Sequence, residues 1–84
     1  MKHAGPETLK QLEPLIVRIR LLGALREKTP GAFYVKSSAM LHFHEDPGGI
    51  FADVKRDGQW FRLPVNTPGE QNRLIRLLTE SLRQ

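Results

Sequence analysis

Two histidines one residue apart, His42 and His44, are the side chains of this chain best placed for chemistry. Alternate side chains of a β-strand point to the same face, so this spacing would bring two imidazoles together where they can chelate a metal ion. A complete catalytic metal site needs a third ligand and an open position, and Asp53 is the nearest candidate for that ligand. The alternative is structural: His42 would hydrogen-bond Asp53, and His44 would face solvent or a helix.

The run from His42 to Asp46 also resembles part of the His-x-His-x-Asp-His motif of metallo-β-lactamase-like hydrolases. The last histidine of that motif is Pro47 here, and that fold needs a much longer chain. A hydrolytic protein that uses His42 and His44 is therefore an alternative prediction, although its motif is incomplete.

An acid–base relay is the next chemistry to weigh, because His42, Asp53 and Arg62 are predicted to form one row across neighbouring strands. A carboxylate can orient an imidazole for proton transfer. However, the chain contains no cysteine, and no serine stands in a recognisable nucleophile motif. A cross-strand ladder of opposite charges, contributing roughly 0.2–1 kcal/mol per pair, explains the row without catalysis. We therefore predict that the protein is not an enzyme.

The same predicted sheet face mixes aromatic rings with cations. These residues are Tyr34, Phe51, Trp60, Lys36, Lys55 and Arg62. Small domains hold single-stranded nucleic acid on sheet aromatics surrounded by phosphate-binding cations, and the formal charge of +4 permits such a partner. The chain has no RNP-type motif, and Lys55 beside Trp60 is equally well explained as a cation–π pair.

A second protomer is another partner that this face could take. The 84 residues make one domain with a small core, and 39% apolar residues are adequate without being generous. Homodimerisation through Met40, Phe51 and Trp60 would bury surface that one protomer cannot. The first helix could cover the same three residues instead.

The composition excludes several classes of protein. Without cysteine there is no disulfide framework and no thiolate metal site, which favours a reducing, cytoplasmic compartment. Residues 1–6 carry charge but no apolar stretch, so we expect them to be disordered and not to be a signal peptide. Apolar runs such as Leu15–Val17 are far shorter than a membrane span. No membrane partner is expected.

Helical periodicity extends from Glu7 to Lys28. Apolar residues recur at three- and four-residue spacing at Leu9, Leu12, Ile16, Ile19 and Leu22. Pro14 interrupts this stretch, which predicts one or two short turns followed by a helix with Pro14 in its first turn. Residues 15–21 also alternate as a strand would. Helix is favoured because residues 24–28 are strong helix formers, and Thr29-Pro30-Gly31 would end it.

The middle of the chain predicts strands. A short β-run at Ala32–Lys36 turns at Ser37-Ser38, and a three-stranded antiparallel meander then spans Ala39–Leu63. Its first turn is Asp46-Pro47-Gly48-Gly49, where Pro47 fixes the φ of the first central position and Gly48 can take a positive φ. Its second turn is Asp57-Gly58, a dipeptide typical of two-residue hairpins.

The register of the meander follows from its alternation. Pairing Glu45 with Ile50 creates an apolar face on which Phe43 lies opposite Ala52 and Leu41 lies opposite Val54. A slip of one residue would destroy that face. The Asp57-Gly58 loop continues it by pairing Val54 with Phe61 and Ala52 with Leu63. The opposite face carries Met40, His42, His44, Phe51, Asp53, Lys55, Trp60 and Arg62.

The last element is a helix with a clear start. Thr67 caps it, Pro68 takes the first helical position, and Glu70 completes a capping box. Its buried stripe is Gln71, Leu74, Ile75, Leu78 and Leu82. The predicted order is α-β-β-β-β-α, which makes residues 1–84 a single α+β domain with N- and C-terminal helices packed on an antiparallel sheet.

The stretch from Ala32 to Asp46, AFYVKSSAMLHFHED, resembles a segment of the bacterial YjbR/MmcQ-like proteins. Those proteins often carry the pattern aFyVrGk-F--fh-D between an N-terminal helix and an antiparallel sheet. This chain has Ser37-Ser38 where Gly-Lys is usual, is shorter, and ends in a simple helix. The resemblance implies an α+β domain related to DNA-binding double-wing proteins, without established enzymatic activity. It transfers no binding residue.

These patterns predict a small, basic, cytoplasmic domain of bacterial type that acts by binding and needs no cofactor. Its working surface would be the sheet face that bears Tyr34, His42, His44, Asp53, Trp60 and Arg62. Nucleic acid is the first predicted partner. A divalent metal ion held by His42 and His44, and a homodimer, are the alternatives.

Overall fold

Helices near both ends of the chain pack on an antiparallel sheet in the computed structural model, which describes residues 1–83. The elements are β1 (Lys2–His3), α1 (Pro6–Gln11), α2 (Glu13–Arg20), β2 (Arg26–Thr29), β3 (Ala32–Val35), β4 (Ser38–Asp46), β5 (Gly49–Arg56), β6 (Gln59–Pro64) and α3 (Pro68–Leu82). The strand order is β2-β3-β4-β5-β6, and β1 pairs with β4 beside this path. The α+β class is confirmed, although the sheet has six strands where the sequence predicted four. Within residues 1–83, no helix is long and apolar enough to cross a membrane.

The N-terminal helical segment is shorter than predicted. It forms α1 and α2, and α2 carries Pro14 in its first turn as expected. The strand alternative for residues 15–21 is wrong, because the chain is helical through Arg20. Extension of the helix to residue 28 is also wrong. Gly23 takes a left-handed φ of 78°, and residues 26–29 then form β2, because pairing with β3 outweighs their helical propensity.

Pro30 and Gly31 turn β2 into β3 and do not end a helix. Gly31 has a φ of 76°, and its N–H donates to Glu27 Oε2 over 2.9 Å. Arg20 donates to the same carboxylate, from Nε to Oε1 over 2.6 Å and from Nη2 to Oε2 over 3.2 Å. The pair of Arg20 and Glu27 therefore ties the end of α2 to the hairpin.

Residues 1–6, which the sequence predicted to be disordered, contain a paired strand. β1 lies antiparallel to the end of β4, with His3 opposite His44. The N–H of Ala4 extends this pairing by donating to the carbonyl oxygen of Phe43 over 3.0 Å. Residues directly opposite each other in a sheet project from the same face, so His3 joins the face that carries His44.

The register of the meander is confirmed in full. The observed pairs include Leu41–Val54, Phe43–Ala52, Glu45–Ile50, Ala52–Leu63 and Val54–Phe61. Asp57 and Gly58 have φ values of 52° and 77°, as a type I′ hairpin turn requires. In the preceding turn the positive φ, 140°, falls on Gly49 and not on Gly48.

The two faces of the sheet differ as predicted. The helices cover the apolar face, and the buried core consists of Leu12, Leu15, Ile16, Ile19, Phe33, Leu41, Phe43, Ala52, Val54, Val65, Leu74 and Leu78. α3 begins with the predicted capping box of Thr67 and Glu70. On the other face His44 and Asp53 are also buried, with 9% and 7% of their surface exposed.

Candidate metal centre

The polar face of the meander places the predicted site residues in neighbouring rows. His42 lies opposite Asp53, and Asp53 lies opposite Arg62. The row expected across these strands is therefore present. In the next row, the pairing of β1 with β4 brings His3 beside His44.

The three histidines of the chain, His3, His42 and His44, form one cluster. A potential ligand nitrogen from each lies within 4.8 Å of the others. The ring centroids of His3 and His44 are 4.5 Å apart, and those of His42 and His44 are 4.8 Å apart. In a tetrahedral zinc site with Zn–N bonds of about 2.0–2.1 Å, the ligand nitrogens would be about 3.3 Å apart. Because the His3 side chain is exposed, it can rotate to bring its nitrogen closer to the other two.

Asp53 occupies the position behind the imidazoles. Its Oδ2 is 2.8 Å from His44 Nδ1 and 4.0 Å from His42 Nδ1. Arg62 holds the carboxylate from the other side, with Nε donating to Oδ1 over 2.8 Å and Nη2 donating to Oδ2 over 3.0 Å. The sequence proposed Asp53 as a third metal ligand. In the structure the third potential ligand beside His42 and His44 is His3, and Asp53 lies behind the rings.

The Nδ1 atoms of His42 and His44 are shielded from solvent and make no hydrogen bond of good geometry within residues 1–83. His44 Nδ1 lies 2.8 Å from Asp53 Oδ2, but a ring N–H at that position is poorly aligned with the carboxylate oxygen. An unsatisfied buried polar atom costs about 1–3 kcal/mol. The two Nδ1 atoms therefore have unused capacity for a hydrogen bond.

The protonation states of this face follow from its surroundings. The hydrogen bonds from Arg62 hold the pKa of the Asp53 carboxyl below its ordinary value. Burial is the main cause that lowers the pKa of His42, and the neighbouring His44 lowers it further. At neutral pH Asp53 is thus ionised and His42 is neutral, which is the form of imidazole that binds a metal ion.

A cleft of about 210 Å³ opens beside the cluster. It lies between β1 and the β2–β3 turn, and its lining includes His3, His42, Pro30 and Gly31. The cleft gives a small ligand a route to the two histidines that border it.

Trp60 and Tyr34 have different relationships to the cluster. The Trp60 ring is 4.9 Å from the His42 ring, and its outer side is exposed, with Lys55 Nζ 5.9 Å from its centroid. Tyr34 instead contacts Lys28, whose Nζ is 4.5 Å from the ring centroid, and it makes no ring contact with the histidines among the described residues. The structure thus unites His42, His44, Asp53, Trp60 and Arg62 but leaves Tyr34 outside. The site also contains His3, which sequence reasoning missed.

Comparison with protein-family models, curated proteins and solved structures found no match to this chain. The resemblance to YjbR/MmcQ-like proteins stays a prediction.

Proposed function

We propose that this protein binds a divalent transition-metal ion, with zinc as the best-fitting ion, through His3, His42 and His44. The observation that carries the proposal is the convergence of all three histidines of the chain on one sheet face. Imidazole nitrogen is a ligand that suits zinc, copper, iron and nickel better than calcium or magnesium. Three histidines are also a known ligand set for zinc with a fourth position left open.

Asp53 supports this proposal as the residue that orients the ligands. Metal-bound histidines usually direct their second ring nitrogen to a carboxylate or carbonyl, which fixes the ring and raises its basicity. His44 Nδ1, 2.8 Å from Asp53 Oδ2, is close enough to take up that role after a small rotation of its ring. His42 Nδ1, at 4.0 Å, would have to move closer to do the same. Arg62 then fixes the carboxylate. His42 and His44 would bind the metal through their other nitrogens.

The cleft beside His3 and His42 supplies the open side of the proposed site. Water or a small anionic ligand entering there would complete the coordination of the metal. The protein would thus present an accessible metal ion on a rigid sheet, which is a binding role and requires no catalytic step.

Titration of the protein, free of any histidine tag, with zinc in competition with a chromogenic chelator tests the proposal. We expect one zinc per chain, and cobalt in place of zinc should give the visible absorption of a four-coordinate site. His3→Gln, His42→Gln and His44→Gln should each weaken binding at least tenfold, while Arg73→Gln, an exposed change on α3 on the opposite side of the sheet, should leave it unchanged. Absence of binding, or equal binding by all four variants, would contradict the proposal.

Nucleic-acid binding is a second candidate, supported by one observation. Trp60 is 46% exposed and lies beside Lys55, so a base could stack on its free side. Titration of a fluorescent single-stranded oligonucleotide should then show affinity that falls steeply as salt rises, and Trp60→Ala should abolish it. Binding that is unaffected by both salt and Trp60→Ala, or an absence of binding at low salt, would contradict this candidate.

A further inference from the structure

The two outer strands of the sheet are protected to different degrees. β2, of sequence REKT, is short and charged, and its register with β3 shifts between Glu27 and Thr29. Charges and bulges of this kind are how proteins prevent an edge strand from pairing with another chain. β6, of sequence QWFRLP, has one charged residue, Arg62, and an unbroken register with β5. β6 therefore lacks most of the protection that β2 has.

β6 also exposes large apolar side chains on both faces of the sheet. Trp60 lies opposite Lys55 on the polar face, and Phe61 lies opposite Val54 on the helix face. Their exposed fractions are 46% and 45%. Phe61 was predicted on the apolar face and is there, yet it lies beyond the cover of the helices.

The hydrogen-bonding phase of β6 determines which backbone groups point outward. The N–H of Val65 donates to the carbonyl oxygen of Ile50 over 3.0 Å, so that pair is hydrogen-bonded. Hydrogen-bonded and non-hydrogen-bonded pairs alternate along an antiparallel ladder. Phe61 consequently directs its N–H and C=O toward β5, whereas Trp60 and Arg62 direct theirs to the open edge. No other element among residues 1–83 accepts or donates at those outward groups.

We propose that two copies of this chain pair antiparallel through β6, with Phe61 on the two-fold axis. In this register Trp60 of each copy lies opposite Arg62 of the other, and each pair exchanges both of its backbone hydrogen bonds. Phe61 meets Phe61 of the second copy in the closer, non-hydrogen-bonded position, where aromatic pairs are favourable. Arg62 donates to Asp53 through the edge of its guanidinium and is half-exposed, so the indole of Trp60 from the second copy could stack on its planar face. The inference goes beyond metal binding and does not depend on it.

Other registers are less favourable for stated reasons. A shift of one residue would oppose outward backbone groups to inward ones, so the hydrogen bonds would not form. A shift of two residues in one direction places Arg62 of one copy opposite Arg62 of the other, and these like charges repel. It also places Trp60 opposite Pro64, which has no N–H to donate. A shift of two in the other direction leaves Arg62 opposite Gly58 in the hairpin turn.

The surface beside β6 on the helix face is also compatible with a second copy. A groove of about 320 Å³ runs between β6 and α3, and it is lined by Leu63, Arg73, Arg76, Leu77 and Glu80. Because the proposed register places the helices of both copies on the same side, the two grooves would face each other across the axis. The groove carries both signs of charge, so Arg76 of one copy can approach Glu80 of the other without net repulsion.

A single-cysteine experiment tests the register, since the natural chain contains no cysteine. Light scattering coupled to size exclusion should give twice the chain mass of 9.6 kDa. Phe61→Cys should form a disulfide-linked dimer under mild oxidation, because its partner is the same residue across the axis. Gln59→Cys, on the same strand and face, should remain monomeric on a non-reducing gel, because its partner would be Leu63.

Phe61→Glu provides the complementary measurement. It opposes two like charges on the axis and should convert the protein to a monomer, with an unchanged far-ultraviolet circular dichroism spectrum because the position is exposed. A monomeric natural chain at tens of micromolar, or cross-linking at residue 59 as fast as at residue 61, would overturn the proposal.

Discussion

At the scale of single residues, Asp53 links the proposed metal ligands to the rest of the sheet. It is buried, and its carboxylate accepts hydrogen bonds from Arg62 on one side and lies against His44 on the other. We expect Asp53→Asn to lower the free energy of unfolding by about 2 kcal/mol, since hydrogen bonds to a charged group are lost. The same change should weaken zinc binding about 10–100-fold, as for other residues that orient metal-bound histidines.

Urea denaturation and zinc competition on the same samples would check both effects of Asp53→Asn. Asp57→Asn, the same change in the exposed turn between β5 and β6, is the matched control and should change neither, because Asn-Gly suits this turn as well as Asp-Gly. Loss of stability with unchanged zinc affinity would mean that Asp53 supports the sheet without orienting His42 or His44.

Much of this residue-scale arrangement could be predicted from sequence. The turns at residues 46–49 and 57–58 set the register, so His42, Asp53 and Arg62 could be placed in one row before the structure was known. His3 could not be placed in the same way. A two-residue strand has no periodicity, and its pairing with β4 joins positions about half the chain apart, which no local pattern encodes.

At the scale of elements, the link between α2 and the β2–β3 hairpin depends on an ionised Glu27. The hydrogen bond from Arg20 is the main cause that lowers the pKa of Glu27, and the N–H of Gly31 lowers it further. A carboxyl whose pKa is lowered by folding stabilises the folded state above its unfolded pKa, and that contribution is lost as the pH falls through the lowered value.

We therefore expect the natural chain to be more stable than Glu27→Gln at neutral pH. The difference should persist down to about pH 4.5, the ordinary pKa of this carboxyl, and should disappear at lower pH. Urea midpoints of both proteins measured from pH 7 to pH 2.5 would show this. A difference that is constant across the range would mean that the charge of Glu27 is unimportant.

Substitution of Gly31 tests how much the backbone conformation of the β2–β3 turn contributes to stability. Its φ is 76°, and a Cβ atom there would be 2.6 Å from Leu9 Cδ2. We expect Gly31→Ala to destabilise the protein by about 1–2 kcal/mol, mainly because alanine disfavours the left-handed conformation. Gly69→Ala is the matched control: this position is helical with no atom near the added Cβ, so the change should stabilise by about 0.5–1 kcal/mol. Thermal or urea unfolding of both variants should therefore shift in opposite directions.

The same region explains the largest error of sequence-based prediction. Residues 24–28 have high helical propensity, yet 26–28 belong to β2. Propensity differences of a few tenths of a kcal/mol per residue are smaller than the gain from pairing an edge strand and closing a hairpin. Pro30 and Gly31 are compatible with either a helix end or a hairpin turn, so local residue types alone could not decide between them.

At the scale of the whole molecule, metal binding and folding are linked through β1. This strand is short, and its contacts with the sheet include the pairing with β4 and the ring contacts of His3 with His42 and His44. If zinc binds only the folded chain through His3, it raises the free energy of unfolding, by about 2.7 kcal/mol when free zinc is 100 times its dissociation constant. It should also fix β1 on β4, so the amide hydrogen of Ala4, which is bonded to Phe43, should exchange more slowly with solvent when zinc is present.

Hydrogen exchange distinguishes this linkage from general stabilisation. In His3→Gln, zinc should no longer protect the Ala4 amide, even where His42 and His44 retain weak binding. Amides near the buried Leu74 and Leu78 in α3, on the far side of the sheet, should report the overall stability in both proteins. Protection at Ala4 that zinc increases equally in His3→Gln would contradict a site that includes β1, and would restrict the metal ligands to the two histidines of β4.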